Sequence, residues 1–358
     1  MRLKRIAYIV NVFPKFSETF IANEIAELKR RGVEIAILSR RNPVESLRHN
    51  VVIDNGLEGL TCYGESSFLP FLKKFRPQLI HAHFATQPTE LARWLSTSLG
   101  IPFSLTAHCY DIYRRPAADF AERCRAANAV VTVSEANARY MIDTLGAPAS
   151  NLSIIPCGVD TEWFKPKSPT HARAPLLVCA SRMQAHKNLP LLLRACALLR
   201  DRGLWFRCAV LGDGDDRLNL EALRASLGLD DIVQFQGLTS QQDVRAWWRE
   251  ASVGLLTSLA EGMPVSLMEA LSSAVPVVAT AVGGVPEMIQ QGINGFTVPI
   301  NDPEAVADAV CRILANPKMA ARMSRAARET ALERFSLSHQ VDSLQALWNQ
   351  VLDSRHAA

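Results

Sequence analysis

Nothing in this sequence approaches the roughly 20 consecutive apolar residues that span a bilayer. The opening Met1-Arg-Leu-Lys-Arg-Ile-Ala-Tyr-Ile-Val10 has a basic start, but it breaks at Asn11, short of a signal peptide's apolar core. It reads as a first buried strand, and the chain as cytoplasmic. The eight cysteines, at positions 62, 109, 124, 157, 179, 196, 208 and 311, include no C-x-x-C pair. Several stand in apolar runs, so they read as buried thiols in a reducing compartment and not as a disulfide framework. Proline and glycine are scattered, which leaves no long low-complexity linker. The formal charge is only +4, no footprint for nucleic acid. Residues 1–165 hold 20 Lys and Arg against 16 Asp and Glu, and residues 166–358 hold 19 against 19, so the excess sits in the first half. That asymmetry fits an anionic or membrane-bound partner. The clusters Lys29-Arg30-Arg31, Arg40-Arg41 and Lys73-Lys74 with Arg76 fall at helix ends or loops. Cations are favoured there anyway, so solvated surface is the first reading and a peripheral contact with the inner face of the membrane the second.

What is present is length and alternation. With 358 residues, 48% of them hydrophobic, the chain can build two cores. Short apolar runs alternate with amphipathic stretches, the pattern of parallel α/β sheets with crossover helices. In the first half strands are expected at 6–12, 33–38, 79–83, 101–106, 129–133 and 152–155, with helices at 18–31, 89–99, 117–127 and 135–145. After Pro166-Lys-Ser-Pro169, the best linker candidate, the pattern restarts. Strands follow at 176–180, 205–211, 231–235, 253–257 and 275–279, with helices at 188–202, 216–227, 241–250, 264–273 and 303–315. The expected fold class is α/β, two doubly wound domains with a ligand crevice at the carboxyl ends of the strands. From Ser336, Leu337, Val341, Leu344, Trp348 and Val351 form one stripe of a long helix, which can lie on its own domain or on the first.

The stretch with most chemistry is Glu261-Gly-Met-Pro-Val-Ser-Leu-Met-Glu269, between the apolar runs 253–257 and 275–279. Pro264 suits a first helical position, with Glu261 and Gly262 just ahead of the helix and Glu269 inside it. Such an N-terminus offers free N–H groups to a phosphate, and the flanking carboxylates offer acceptors to sugar hydroxyls. A capped helix with two solvated glutamates is the plainer alternative. Arg182 and Lys187, in the loop after the strand 176–180, form a second candidate, a clamp for a diphosphate. His108 with Asp111 follows another strand and can meet a hydroxyl or phosphate oxygen. His83 is read as structural. No His or Cys stands at metal-ligand spacing, so no metal site is expected. In the first loop, Ser17 reads as a helix N-cap before Glu18 and Thr19. There is no G-x-G-x-x-G. Gly212-Asp-Gly214 lacks the third glycine because position 217 is Arg.

Taken together these stretches resemble the retaining nucleotide-sugar glycosyltransferases of the GT-B fold, family 4. Glu261 through Glu269 is similar to that family's E-x7-E element. In register around it stand Thr106-Ala-His108 with Asp111, Ile155-Pro-Cys-Gly-Val-Asp160, Ser181-Arg182 with Lys187, Leu211-Gly-Asp-Gly214, Phe235-Gln-Gly237 and Gly283-Gly-Val-Pro-Glu287. Phe13-Pro-Lys-Phe-Ser-Glu-Thr-Phe-Ile21 is similar to the subset that builds exopolysaccharides such as colanic acid. The resemblance implies two Rossmann-like domains facing across a cleft, 1–167 for the acceptor and 168–335 for the donor. It also implies a final helix, 336–358, that crosses back to the first.

The same resemblance implies the roles. Arg182 and Lys187 would neutralise the donor diphosphate, Glu269 would hold the ribose and Glu261 the transferred sugar. His108 would touch sugar or diphosphate. The backbone of Gly262, Met263, Pro264, Val265 and Ser266 would meet sugar and phosphate, and the base would lie near Gly212, Gly214, Gly237 and Leu238. A UDP- or GDP-linked donor, a glycan or lipid-linked sugar acceptor, retention of configuration and no required metal or cofactor complete the expectation. The sequence departs from many relatives where Phe16-Ser17-Glu18 stands in place of a Gly-Gly pair, which puts Ser17's donor-side role in question. It departs again at Cys157 and Asp215. A transferase for a lipid or small-molecule acceptor, or a non-catalytic sugar-nucleotide-binding scaffold, are the alternatives.

Overall fold

The computed structural model describes residues 2–45, 47–167 and 174–356, which form two units: residues 2–158 with 337–356, and 159–336. In the first, seven strands run in parallel: β1 (Arg5–Val12), β2 (Glu34–Arg41), β3 (Thr61–Tyr63), β4 (Leu79–His83), β5 (Phe103–Ala107), β6 (Ala129–Thr132) and β7 (Leu152–Ile154). Their order is β3-β2-β1-β4-β5-β6-β7. Side chains alternate across the sheet, so Ile6, Tyr8 and Val10 enter one core while Ala7 and Ile9 enter the other. Both faces are covered, which is why these strands read as near-continuous apolar runs. Chain order reverses between β1 and β4, the point at which an open α/β sheet leaves a crevice.

The helix Leu337–His356 belongs to this unit. Its stripe of Val341, Leu344, Trp348 and Leu352 enters the core beside Ile25 and Leu28 of the helix Thr19–Arg30. Trp348 is fully buried, and its indole N–H donates to Ser104 Oγ at 3.1 Å. Asn349 accepts from the backbone of Leu3 at 2.8 Å, tying the end of the chain to its start.

The second unit carries β8 (Leu176–Ala180), β9 (Arg207–Leu211), β10 (Val233–Gly237), β11 (Val253–Leu256), β12 (Val277–Thr280) and β13 (Gly295–Val298), all parallel in the order β10-β9-β8-β11-β12-β13. Its reversal lies between β8 and β11, so the loops after these two strands emerge side by side.

Several expectations need correction. The units divide at 158/159, ahead of 167/168, because 159–164 is clamped onto the second unit. Val159 N–H donates to Phe335 O at 2.9 Å, Ser272 Oγ to Phe164 O at 2.8 Å, and Arg328 to Thr161 O at 2.7 Å. Of the linker candidate, Ser168 and Pro169 lie outside the described residues. Helix Thr19–Arg30 starts after Glu18 with no side-chain cap, so Ser17 is not its N-cap. A backbone turn sets that start instead: Glu18 N–H donates to Lys15 O at 3.0 Å, and Ser17 is exposed. Pro264 is the N-cap of Val265–Ser272 and not its first residue. Strands β3 and β13 and the helix Pro317–Arg334 were absent from the expected elements.

Trp348→Ala should lower the unfolding free energy of the first unit by about 3–5 kcal/mol, the usual cost of emptying a buried aromatic site. Urea unfolding followed by circular dichroism reads this. Trp205→Ala, at a side chain that is 77% exposed, should stay within about 0.5 kcal/mol.

Candidate functional site

The loops after β8 and β11 converge on Lys187 and Glu261. Lys187 ends a short turn, Ala185–Lys187, that is stitched to the neighbouring loop. Leu259 N–H donates to His186 O at 2.8 Å, and Thr257 Oγ1 to Lys187 O at 3.2 Å. The ammonium of Lys187 meets Glu261 Oε1 directly, with the two side chains only 14% and 9% exposed. Ser258 Oγ donates to the same oxygen at 2.6 Å, and Thr280 Oγ1 holds Ser258 O at 2.6 Å. The whole set is therefore referenced to β12. Arg182 lies exposed in the loop that leads to Lys187.

Two glycine positions let backbone segments lie on one another. Gly284 N–H donates to Gly262 O at 2.9 Å, and at Gly283 (φ +49°) a Cβ would stand 1.7 Å from Glu261 O. At Gly212 (φ +127°) it would stand 2.2 Å from Ser181 O. Only glycine permits either approach. The loop after β9 is thereby pressed onto the loop after β8: Met183 N–H donates to Asp213 O at 2.9 Å and Asp216 N–H to Met183 O at 3.1 Å. Gly212 N–H also donates to Gly237 O at 2.8 Å, which brings Gly214, Gly237 and the exposed Leu238 to the same strand ends.

Helix Val265–Ser272 starts from the buried Gly262-Met263-Pro264 with no side-chain cap. The N–H groups of its first turn, including Val265 and Ser266, have no intrahelical acceptor, and its dipole favours negative charge there. Inside the helix, Glu269 is 7% exposed and its closest donor is Trp248 Nε1 at 3.3 Å. Burial pushes its carboxyl up to about 7. The polar helix Gln241–Glu250 gave no sign that Trp248 would reach Glu269.

The first unit holds a second group of polar side chains, all buried. His108 N–H and Ala85 N–H both donate to Asp111, at 2.9 and 2.6 Å, so Asp111 fixes the loops after β5 and β4 together. Burial raises its carboxyl to about 7 against the pull of those amides. Phe84 adopts φ +73°, a conformation a bulky residue avoids, and its ring packs 4.8 Å from that of His108. Phe20 lies at the same distance. His108 Nε2 stands 3.0 Å from His83 Nδ1, so His83, read from sequence as structural, joins the candidate site. Behind it His83 Nε2 lies 3.4 Å from Glu24 Oε1. Glu24 accepts from Tyr8 OH at 2.7 Å and from Gln340 Nε2 at 2.8 Å.

The donor atoms of Glu24, His81 and His83 all lie within 4.8 Å of one another, a spacing that would suit a metal. Yet His81 spends both ring nitrogens on Ser104 Oγ at 2.8 Å and Thr106 Oγ1 at 3.0 Å, and both Glu24 oxygens are engaged. Glu24 and His81 are thus each committed to other partners, while His83 Nε2 has no hydrogen-bond partner among the described residues. Ser17 joins neither group: its loop is closed by Lys15 to Glu18 and by Phe16 stacked 4.1 Å from His49. Among the described residues, no helix is long and apolar enough to cross a membrane.

Comparison with known proteins gives these features a setting. Residues 160–330 match the family described as glycosyl transferases group 1, and residues 17–163 match glycosyltransferase family 4. A D-inositol 3-phosphate glycosyltransferase of Saccharomonospora viridis is 30% identical, over 93% of this chain and 88% of its own. The putative colanic acid biosynthesis glycosyltransferase WcaL of Escherichia coli is 26% identical, over 85% and 89%. Among solved structures, Anabaena HepE in complex with UDP-glucose superposes with a TM-score of 0.80 at 17% identity, covering 99% of this chain and 100% of that one.

Glu269 generates a pH prediction. Its folded-state pKa lies above the ordinary carboxylate value, so its contribution is fully present below about pH 4.5 and is lost as pH rises through about 7. Relative to Glu269→Gln, the wild type should lose about 2–3 kcal/mol of unfolding free energy between pH 5 and pH 8. Paired urea titrations at the two pH values measure the difference.

Proposed function

The chain belongs to the group 1 glycosyltransferases of the GT-B fold, and we propose that it moves a hexose from a nucleoside diphosphate sugar onto a growing bacterial surface glycan. The observation that carries this reading is the buried Lys187–Glu261–Ser258 set at the mouth of the helix that contains Glu269. A diphosphate there competes with Glu261 for the ammonium. Once Lys187 turns to phosphate, the Glu261 carboxylate is released to accept hydrogen bonds from sugar hydroxyls. Arg182 supplies a second cation, and Glu269, kept partly protonated near neutral pH, meets the ribose hydroxyls. The amides from Gly262 to Ser266 face sugar and phosphate, and the base lies against Gly212, Gly214, Gly237 and Leu238.

In the reaction the bond between the anomeric carbon and the β-phosphate oxygen breaks, and its electron pair leaves with the nucleoside diphosphate. The acceptor oxygen bonds to the anomeric carbon from the same face and passes its proton to the departing phosphate oxygen, so configuration is retained. Lys187, Arg182 and the helix N-terminus stabilise the charge that develops on the leaving group, and no metal is required for that task. Acceptor binding falls to the first unit.

The colanic acid name of the Escherichia coli relative supports a part in exopolysaccharide synthesis, and a lipid-linked glycan is the acceptor of this reading. The inositol phosphate named for the Saccharomonospora viridis relative supports the second reading, a small phosphorylated acceptor. The donor of this reading is UDP- or GDP-linked; UDP-glucose is the ligand of the Anabaena protein. A cytoplasmic site, with the first unit against the inner membrane face, suits a lipid-linked acceptor.

Thermal unfolding with UDP, GDP or ADP, each without divalent metal, tests the donor site. One nucleotide at 100 times its dissociation constant should add about 2.7 kcal/mol of stability, and Lys187→Ala should abolish most of that shift. A folded wild type that responds to no nucleotide at millimolar concentration would sink the reading.

A further inference from the structure

A buried acceptor atom is stranded beside a cavity of the first unit, and the loop 13–18 forms one side of that cavity. It lies at the carboxyl end of β1, between this loop and the segment 47–52, with room for about one water-sized group. Val12, Phe13, Phe16, Ile21 and Val52 make its walls mainly apolar. Phe13 N–H donates to Ser39 Oγ at 2.8 Å and Tyr63 OH to Phe13 O at 3.2 Å, which fixes the loop to β2 and β3. His49, only 7% exposed, also lines the cavity. Its ring stacks on Phe16, and its Nε2 lies 2.9 Å from Phe16 O. A carbonyl oxygen only accepts, so Nε2 carries a proton. Burial holds the ring's pKa below its ordinary value, which keeps it neutral near pH 7 and leaves Nδ1 as a lone pair. Nδ1 is buried and has no hydrogen-bond partner among the described residues. An unmet buried acceptor is costly, so this atom calls for a donor from outside the chain.

The charges around the cavity say what kind of donor that is. Lys15 and Arg48 are its cationic side chains among the described residues. Lys15 is paired with Glu18 at 2.5 Å and Arg48 with Glu58 at 2.9 Å, and Arg48 also donates to Leu47 O at 3.2 Å. Neither cation is left for a phosphate, and a histidine lone pair repels one. A hydroxymethyl group matches both features that remain, with a methylene for the apolar walls and a hydroxyl for Nδ1. We propose that this cavity is an acceptor subsite, in which the hydroxymethyl group of a neutral hexose donates to His49 Nδ1. The proposal rests on the reading of the chain as a transferase to a glycan and deepens it, since it names a neutral sugar over a phosphorylated one at this subsite. His49 then selects a hexose over its 6-deoxy counterpart, whose methyl group leaves Nδ1 unmet.

Nitrogen NMR of the full chain labelled with 15N-histidine reads this subsite with no nucleotide present. Methyl glycosides of glucose, galactose and mannose would be titrated in turn, each beside its 6-deoxy analogue. At least one hexoside should shift the His49 Nδ1 resonance to saturation, and its 6-deoxy analogue should bind about tenfold or more weakly. His49→Phe keeps a ring on Phe16 and removes the acceptor, and it assigns the resonance by its loss. In that variant, ligand-observed NMR should find the hexoside bound as weakly as its 6-deoxy analogue. An Nδ1 resonance that no hexoside moves, as when a buried water already satisfies the atom, would overturn the proposal. Equal affinity of the wild type for a hexoside and its 6-deoxy analogue would overturn it too, and this comparison stands even where the variant does not fold. Failure of the wild type to respond to any nucleotide would count against the donor site alone, since the sugars are read without one.

Discussion

One lysine and one glutamate, both nearly removed from water, set the terms for the second unit. Desolvating an ion pair costs several kcal/mol per ion, and removing one partner from a buried pair strands the other at about 3–5 kcal/mol. Lys187 and Glu261 come from different strand ends, so their meeting requires the reversal of chain order between β8 and β11. It also requires Gly283, whose missing Cβ lets Gly284 support the backbone of Gly262. Ser258 and Thr280 hold the carboxylate's position against β12. A buried pair of this kind suits a site in which an incoming anion takes over one member.

The first unit buries a carboxyl group by a different rule. Glu24 faces no lysine or arginine among its hydrogen-bond and ion-pair partners, and its carboxyl group is held by Tyr8 and Gln340, with His83 Nε2 3.4 Å away. Such networks are high-stakes because a buried member left unsatisfied is costly. Gln340 ties this one to Gly158, the residue at which the chain leaves the unit. The side chains around His108 thus depend on the last helix as much as on the strands that carry the histidines.

Much of this was legible because parallel strands covered on both faces must be apolar almost throughout. Runs such as Ile6–Val10 and Leu176–Ala180 admit few other readings. Strand β3 has only three residues, all half-buried, and β13 only four, one of them a glycine, so neither gives a run to see. Helix Pro317–Arg334 buries only Met323, Ala327, Thr330 and Ala331, too small and polar a stripe to stand out. Spacing brought Lys187, Glu261 and Glu269 forward, while the groups that hold them were silent. Trp248 sits in a polar helix. Glu24 looks like any solvated glutamate on an amphipathic helix, and its burial depends on Gln340, 316 positions away. Ser17 looked like a cap because caps are local, but a backbone turn from Lys15 had already taken that role.

The central claim is that Lys187 stabilises a leaving nucleoside diphosphate, and donor cleavage measures it most directly. Wild type and Lys187→Ala would each be mixed with UDP-linked and GDP-linked hexoses in metal-free buffer, and release of the free nucleotide followed over many enzyme equivalents. The account predicts release from one nucleotide class, slowed about 100-fold or more in the variant, the usual loss when one preorganised charge-stabilising group is removed. Equal rates in the two proteins, or release that begins only when a divalent cation is added, would contradict it.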